Sequence, residues 1–267
     1  MHIATWNINS VRARVDLVER FLRERSPDVL LLQETKAKDS EFPIETFLPL
    51  GYSTARTGQA SYNGVAIISR SPIEDVETEF VGSEGPAEQR RLIFGTVKSP
   101  SGRPVRVCSV YVPNGKALDS PAYPEKLAFL RRLGETLSAR GLVGDSPLMP
   151  LVVGGDFNIA RDARDVFDPV QMAGKLHFSE EERTTFDALL SLGLVDLFRE
   201  SSSEAGLFSW WDYRMQAFRR NRGLRIDYLL GNRLATQTLD RAHIDREPRG
   251  WTRPSDHTPV IAEFTNL

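Results

Sequence analysis

Residues 150–160 read PLVVGGDFNIA. The apolar run Leu151-Val152-Val153 has the β-branched content of a strand buried on both faces. It runs into two glycines, an aspartate and, two positions on, an asparagine. Turns favour all three residue types, so a polar turn after a core strand is the plainest reading. The glycines offer a second reading, a backbone free to bend close to a substrate. Asp156 and Asn158 would then share one side of the chain if strand alternation persists past Gly155.

Around this stretch, strand-like and helix-like segments alternate. HIATW (2–6), DVLLLQE (28–34), GVAIIS (64–69), RLIFGTV (91–97), VRVCSVYV (105–112), RIDYLLG (225–231) and TPVIAEF (258–264) read as strands. Val11, Val15, Val18, Phe21 and Leu22 recur at helical spacing, with Ser10 placed to cap the start and Ser26-Pro27 to stop it. A second helix carries Pro124 in its first turn and Leu127, Leu130, Leu133 and Leu137 on one face. Ser179 and Glu182 form a capping box ahead of Phe186, Leu189 and Leu190, and Gly193 is placed to end that helix. Loops are expected at 53–63, 81–89, 113–123, 140–149, 160–178 and 201–224. Strands that succeed one another without helices imply antiparallel pairing beside crossovers, hence an α/β fold with sheets packed between helices. No linker or repeat divides the 267 residues, so one domain over 1–267 is expected.

With 40% hydrophobic and 26% charged residues, the composition is that of an ordinary soluble globular protein. The net charge of -2 provides no global basic field, so an anionic partner needs a local patch. Cys108 is the single cysteine, which excludes an internal disulfide and suits a reducing compartment. The start MHIATWNINS lacks a basic, apolar leader, and no apolar run reaches spanning length. A cytoplasmic protein with no membrane partner is expected.

Polar residues collect where the strands end. Asn7 and Asn9 follow HIATW, Glu34 follows DVLLLQ, and Tyr111 and Asn114 close VRVCSVYV. Asp156 and Asn158 follow LVVGG, Asp227 opens a strand, and Asp256 and His257 precede the last one. Strand ends of layered α/β folds are where ligand sites form. Each residue alone has a plainer reading: Tyr111 as a strand aromatic, Asn114-Gly115 as a turn, Asp256 as a cap, Asp227 as a partner of Arg222 or Arg225. The joint pattern favours a shared site. No nucleophile elbow or phosphate-binding glycine loop is present. A set rich in carboxylate and carboxamide oxygens suits a hard cation such as magnesium or manganese, which in turn handles phosphate oxygens. Adjacent side chains on an extended strand point opposite ways. Asp256 is therefore a poor orienter for His257, and a distant acid such as Asp227 should brace the imidazole. His2, His177 and His243 have no comparable setting and read as ordinary histidines.

WNINSVRAR, PDVLLLQETK, YVPNG, GGDFNI, SWWDYR, NRGLRIDY and PSDHTPV, in this order, resemble the motifs of the exonuclease III family of apurinic/apyrimidinic endonucleases, within the endonuclease/exonuclease/phosphatase superfamily. The resemblance covers nearly the whole chain. It implies a four-layered α/β sandwich, two mixed β-sheets face to face with helices outside. It also implies magnesium-dependent hydrolysis of phosphodiester bonds in duplex DNA, with manganese as a substitute. The activities implied are incision on the 5′ side of abasic sites, 3′→5′ exonuclease action and removal of 3′-blocking phosphates, by a monomer in the nucleoid. Glu34 would bind the metal, with Asp256 contributing directly or nearby and Asn7 positioning that site. Asp156 would activate the water, or protonate the leaving group. Asn158, Tyr111 and His257 would contact the phosphate, and Asp227 would pair with His257. Trp210, Leu224 and Ile226 match an apolar pocket for a baseless sugar.

DNA needs positive charge nearby. The segment 214–225, RMQAFRRNRGLR, holds Arg214, Arg219, Arg220, Arg222 and Arg225 and no acid. With the neutral Asn114, and with Arg90 and other basic residues of the motif segments, these are candidate DNA contacts. The loop 160–178 matches the family pattern least and would govern which DNA reaches the site. The rival readings are a superfamily phosphoesterase with a non-DNA substrate, and a binding module that has lost catalysis.

Overall fold

The computed structural model of the chain describes residues 1–83 and 89–267. The central part of the 81–89 loop, residues 84–88, therefore lies outside the described residues. Twelve strands are present among them: β1 His2–Asn7, β2 Val29–Gln33, β3 Ser53–Thr57, β4 Val65–Ser69, β5 Glu74–Glu77 and β6 Leu92–Lys98 in the first half, then β7 Pro104–Tyr111, β8 Leu151–Asp156, β9 Leu194–Asp196, β10 Asp227–Asn232, β11 Leu239–Ile244 and β12 Val260–Phe264. The helices are α1 Val15–Arg25, α2 Ile44–Phe47, α3 Ala122–Ala139, α4 Pro169–Met172, α5 Glu180–Leu190, α6 Leu197–Ser201 and α7 Arg233–Thr236.

The strands form two six-stranded sheets, ordered β11-β12-β1-β2-β4-β3 and β5-β6-β7-β8-β10-β9. Both are mixed: β1 and β2 run parallel in the first and β7 and β8 parallel in the second, with antiparallel partners around them. Three apolar layers hold the stack. Ile3, Leu31, Ile67, Val107, Val152 and Leu229 fill the space between the sheets. Trp6, Val18, Phe21 and Leu22 pack α1 on the first sheet. Leu130, Leu133, Phe186 and Leu189 pack α3 and α5 on the second. This is the four-layered sandwich expected, because each central strand is apolar on both faces and each long helix on one.

Gly154 and Gly155 lie inside β8 and make no bend. A Cβ on Gly154 would meet Leu31 Cδ1 at 2.6 Å, and one on Gly155 would meet the Val110 carbonyl oxygen at 1.9 Å. Close packing across and along the sheets, rather than approach to a substrate, requires these glycines. The first helix starts at Val15, not after Ser10, and its N-cap Arg14 makes no side-chain cap. Ser10 is left-handed at φ 89°, in a stretch shaped by the site rather than by the helix. The expected loop 53–63 contains β3, and α4 lies within 160–178. The Ser179–Glu182 capping box forms as expected. No helix among the described residues is long and apolar enough to cross a membrane.

Candidate active site

The two sheets bring their polar strand ends to one edge of the sandwich. Asp156 ends β8 and lies in register with Tyr111 on parallel β7 and with Asp227 on antiparallel β10. The second sheet thus presents a row, Tyr111–Asp156–Asp227. The first sheet supplies Asn7 from the end of β1, Glu34 just past β2, and Asp256 and His257 ahead of β12. One carboxamide joins the sheets: Asn7 Nδ2 donates to Glu34 Oε1 at 2.8 Å and to Asp156 Oδ2 at 2.9 Å. Beneath it, Gln33 Nε2 donates to Thr5 Oγ1 and to Ser109 Oγ, both at 3.0 Å, which ties the same edge through the buried layer.

His257 Nδ1 lies 2.9 Å from Asp227 Oδ2, and that oxygen also accepts the Ser209 hydroxyl at 2.6 Å. The imidazole's other nitrogen, Nε2, faces Asp156 Oδ2 at 3.7 Å, an ionic contact rather than a hydrogen bond. Burial alone would lower the imidazole pKa, but Asp227 and Asp156 carry it up to about 10. His257 is therefore a cation at neutral pH, with Nε2–H directed at the site. Burial, reinforced by Asp227 and Glu34 and opposed by His257, pushes Asp156 up to about 7. Burial and the neighbouring Glu34 and Asp156 carboxylates push the Tyr111 phenol well above its ordinary value, so it stays a neutral donor.

Asp256 lies at a bend ahead of β12 and takes its hydrogen bonds away from His257. Its carboxylate accepts from Asn9 Nδ2 at 2.9 Å and from Trp210 Nε1 at 3.0 Å. Burial would raise its pKa, and His257, Asn9 and Trp210 outweigh that and hold it below the ordinary range. Glu34 is also held low, because the Lys36 ammonium, 2.8 Å from Oε2, overcomes the effect of burial.

Among the described residues, Glu34, Asp156 and His257 bring donor atoms within 4.8 Å of one another, the geometry of a cation cluster. Protonated His257 is a poor ligand, which leaves the carboxylates. The donor set fits a hard divalent ion, since Asp156 is a buried acid beside two others and Glu34 already holds a cationic group in Lys36. Asp256 lies outside the cluster and joins it through Asn9, which accepts from Lys36 at 2.6 Å.

β8 runs past Gly155 to Asp156 and ends there; Asn158 is left-handed, φ 54°, so strand alternation does not extend to it. Its backbone N–H instead reaches back to Asp156 Oδ1 at 2.9 Å, and its Oδ1 accepts from Asn114 Nδ2 at 3.1 Å. Asn9, Glu34 and Lys36 share the left-handed conformation. Such a concentration of unfavourable backbone at one edge is a mark of a functional site. Trp210 links the loops, bridging Leu224 and His257 and lying 6.5 Å from the His257 ring. Leu224 and Ile226 are covered, at 3% and 2% exposure, under Val166 and Phe178 of the 160–178 loop. Trp210 also lines a cavity of about 570 Å³ with Phe167, Asp212, Arg214, Arg220 and Arg222.

The basic segment divides. Arg214 is exposed and pairs with Asp212 at 2.9 Å, and Arg222 bonds Gln171 at 3.1 Å and lies over Phe167. Arg90 lies farther along the edge, 3.8 Å from Glu79. Arg225 is removed from the DNA-contact set: its guanidinium is 1% exposed and paired with Asp165 and Asp196. It anchors the 160–178 loop to the strand bearing Asp227, and neither it nor Arg222 pairs with Asp227. Sequence reasoning gathered Asn9 with the polar strand ends without giving it a role, counted Lys36 only among the basic residues, and missed Ser209, Lys126 and His177 as members of the site's network. His177 Nδ1 lies 2.6 Å from the Asn158 carbonyl oxygen, and burial together with Lys126 pushes its pKa down to about 4.

The chain matches the endonuclease/exonuclease/phosphatase family over residues 4–257. It is 33% identical over 273 residues to "Exodeoxyribonuclease III" of Haemophilus influenzae, covering 99% of this chain and 100% of that one. The structure of the 3′ phosphatase NExo from Neisseria, bound to a product DNA hairpin, superposes with a TM-score of 0.91 at 39% identity over 99% of each chain. An AP endonuclease from Archaeoglobus fulgidus superposes with a TM-score of 0.91 at 32% identity over 100% of each.

Proposed function

The chain belongs to the endonuclease/exonuclease/phosphatase family, and from that premise we propose a metal-dependent DNA-repair nuclease that hydrolyses phosphodiester bonds in duplex DNA as a monomer. The observation that carries this reading is the row Tyr111–Asp156–Asp227 facing Asn7, Glu34 and His257 across one sandwich edge. In it, Asp156 aligns the attacking water and takes its proton. A carboxylate pushed up to about 7 is well matched to proton transfer near neutral pH. Asp227 keeps His257 cationic, and His257 Nε2–H and the Tyr111 phenol hold phosphoryl oxygens as negative charge grows on them. Asn158 and Asn114 hold the same phosphate from the neighbouring turns.

Glu34 would hold magnesium or manganese, with Asn7 fixing the carboxylate and Asp256 close by. When bound, such an ion neutralises phosphate charge and steadies the leaving oxygen. Arg214 and Arg222 meet flanking phosphates, with Arg90 on the opposite rim. Trp210, with Leu224 and Ile226 beneath it, faces the nucleotide next to the scissile bond.

The names of the relatives indicate the substrates to try. The protein, with magnesium, is incubated with duplexes carrying an internal abasic site, a recessed 3′ end or a 3′-phosphate, each with and without chelator. Chelator-sensitive cleavage of at least one is expected, and inertness toward all three overturns the reading.

A further inference from the structure

A buried ammonium lies behind the two asparagines. Lys126, on α3, has a side chain with no exposure at all. Its Nζ donates to the Asn158 carbonyl at 2.7 Å and to the Asn114 carbonyl at 3.2 Å, and its third proton meets Glu182. All three donors of the ammonium are used. Glu182 is equally committed: Oε1 also accepts from the His177 amide at 3.1 Å, and Oε2 from the Ser179 amide and hydroxyl at 3.0 and 2.8 Å. One charge therefore clamps the turn after β7 to the turn after β8, and Glu182 fastens both to the start of α5.

We propose that Lys126 is a positioning residue for hydrolysis, which through the two peptide carbonyls fixes the Asn114 and Asn158 carboxamides as one phosphate-holding pair. This rests on the role given to Asn158 above. Three observations carry it. Asn158 sits in a left-handed turn whose carbonyl is the one the ammonium bonds, so Lys126 acts on the residue that sets where the turn leaves β8. The two carboxamides bond each other at 3.1 Å, so a shift of either turn moves both. Asn158 also bonds Asp156 through its amide, so the same clamp reaches the water-aligning acid. An apolar side chain would fill the helix face at less desolvation cost; a buried, fully bonded ammonium suits a demand for position rather than for packing.

The test is a double-mutant cycle on a 3′-phosphate duplex with magnesium, reading kcat and KM separately. Lys126→Met should lower kcat by 10- to 100-fold with KM changed less than about threefold, the scale expected from misplacing a reacting group. Lys126→Met/Glu182→Gln, which leaves no unpaired buried charge, should show the same loss while keeping its melting transition. In an Asn114→Ala/Asn158→Ala background, Lys126→Met should cost less than about threefold more, because most of its effect passes through the two carboxamides. Full multiplication of the two losses, or an unchanged kcat in the charge-balanced variant, overturns the positioning role. An Asn158→Ala variant with full activity overturns the role of Asn158 itself, and the inference with it.

Discussion

Asp156 is the residue at which chemistry and stability pull apart. Asp156→Asn keeps the shape but removes the base, so kcat should fall by about a thousandfold or more; full magnesium-dependent activity in this variant refutes the assignment. The stability effect has the opposite sign. The folded pKa, about 7, lies above the ordinary 3.8, so ionisation is disfavoured in the fold. The cost is absent below the lower value and complete above the higher one. In chelator, the melting temperature of Asp156→Asn relative to the wild type should therefore rise by a few °C between pH 4 and about pH 8. The same groups shape the rate. Asp156 works as a carboxylate and His257 as a cation, so kcat/KM should rise with pH on a limb that lies at about 7 without a cation, and fall through about 10. A bound cation moves the lower limb down, and a profile flat from pH 5 to 10 contradicts the pairing. The pairing of His257 with Asp227 was legible in the sequence, since alternation disqualified Asp256. The left-handed Asn158 and its link to His177 were not, because nothing local marks a φ imposed by partners 19 to 44 residues away.

At the scale of elements, the central strands announced themselves and the edges did not. β2, β4 and β8 are buried at every position and read as continuous apolar runs. β5 is exposed throughout, and β3 is half-buried with β4 as its one partner, so pairing rather than composition makes them strands. Lys126 escaped notice for a similar reason. A lysine between apolar helix positions reads as solvated until a partner 56 residues on is folded against it. The glycines of β8 give a direct test. Gly155→Ala forces a methyl into the Val110 carbonyl, 1.9 Å away, so it should destabilise by about 3 kcal/mol or more, read as a lowered denaturation midpoint. Because Asp156 and Tyr111 are register partners across that seam, activity should fall with it. An unchanged midpoint would show that the strands are less tightly apposed than described.

Across the whole molecule, affinity for DNA must come from a local patch on a chain of net charge -2. Duplex affinity should fall steeply with salt, and replacing Arg214 and Arg222 by Ser should reduce the slope of log K against log salt by about 1 per lost contact. Arg225→Ser should instead unfold or loosen the chain, since its charge is spent on Asp165 and Asp196; a slope change without a stability change contradicts this division. Magnesium should raise the melting temperature of the wild type and not of Glu34→Gln, as expected for a ligand of the folded state alone.

Asn7 stands near one end of the chain and His257 near the other, and β1 pairs directly with β12. Trp6 donates to the His257 carbonyl and Ser255 to that of Asn7, contacts spanning 251 and 248 residues. During synthesis, the imidazole and its adjacent strand leave the ribosome after all the other groups of the site. A chain that has not yet reached this segment therefore has no imidazole against Asp156 and no β12 beside β1. The topology acts as a latch: the imidazole meets Asp156 only when β12 has closed on β1.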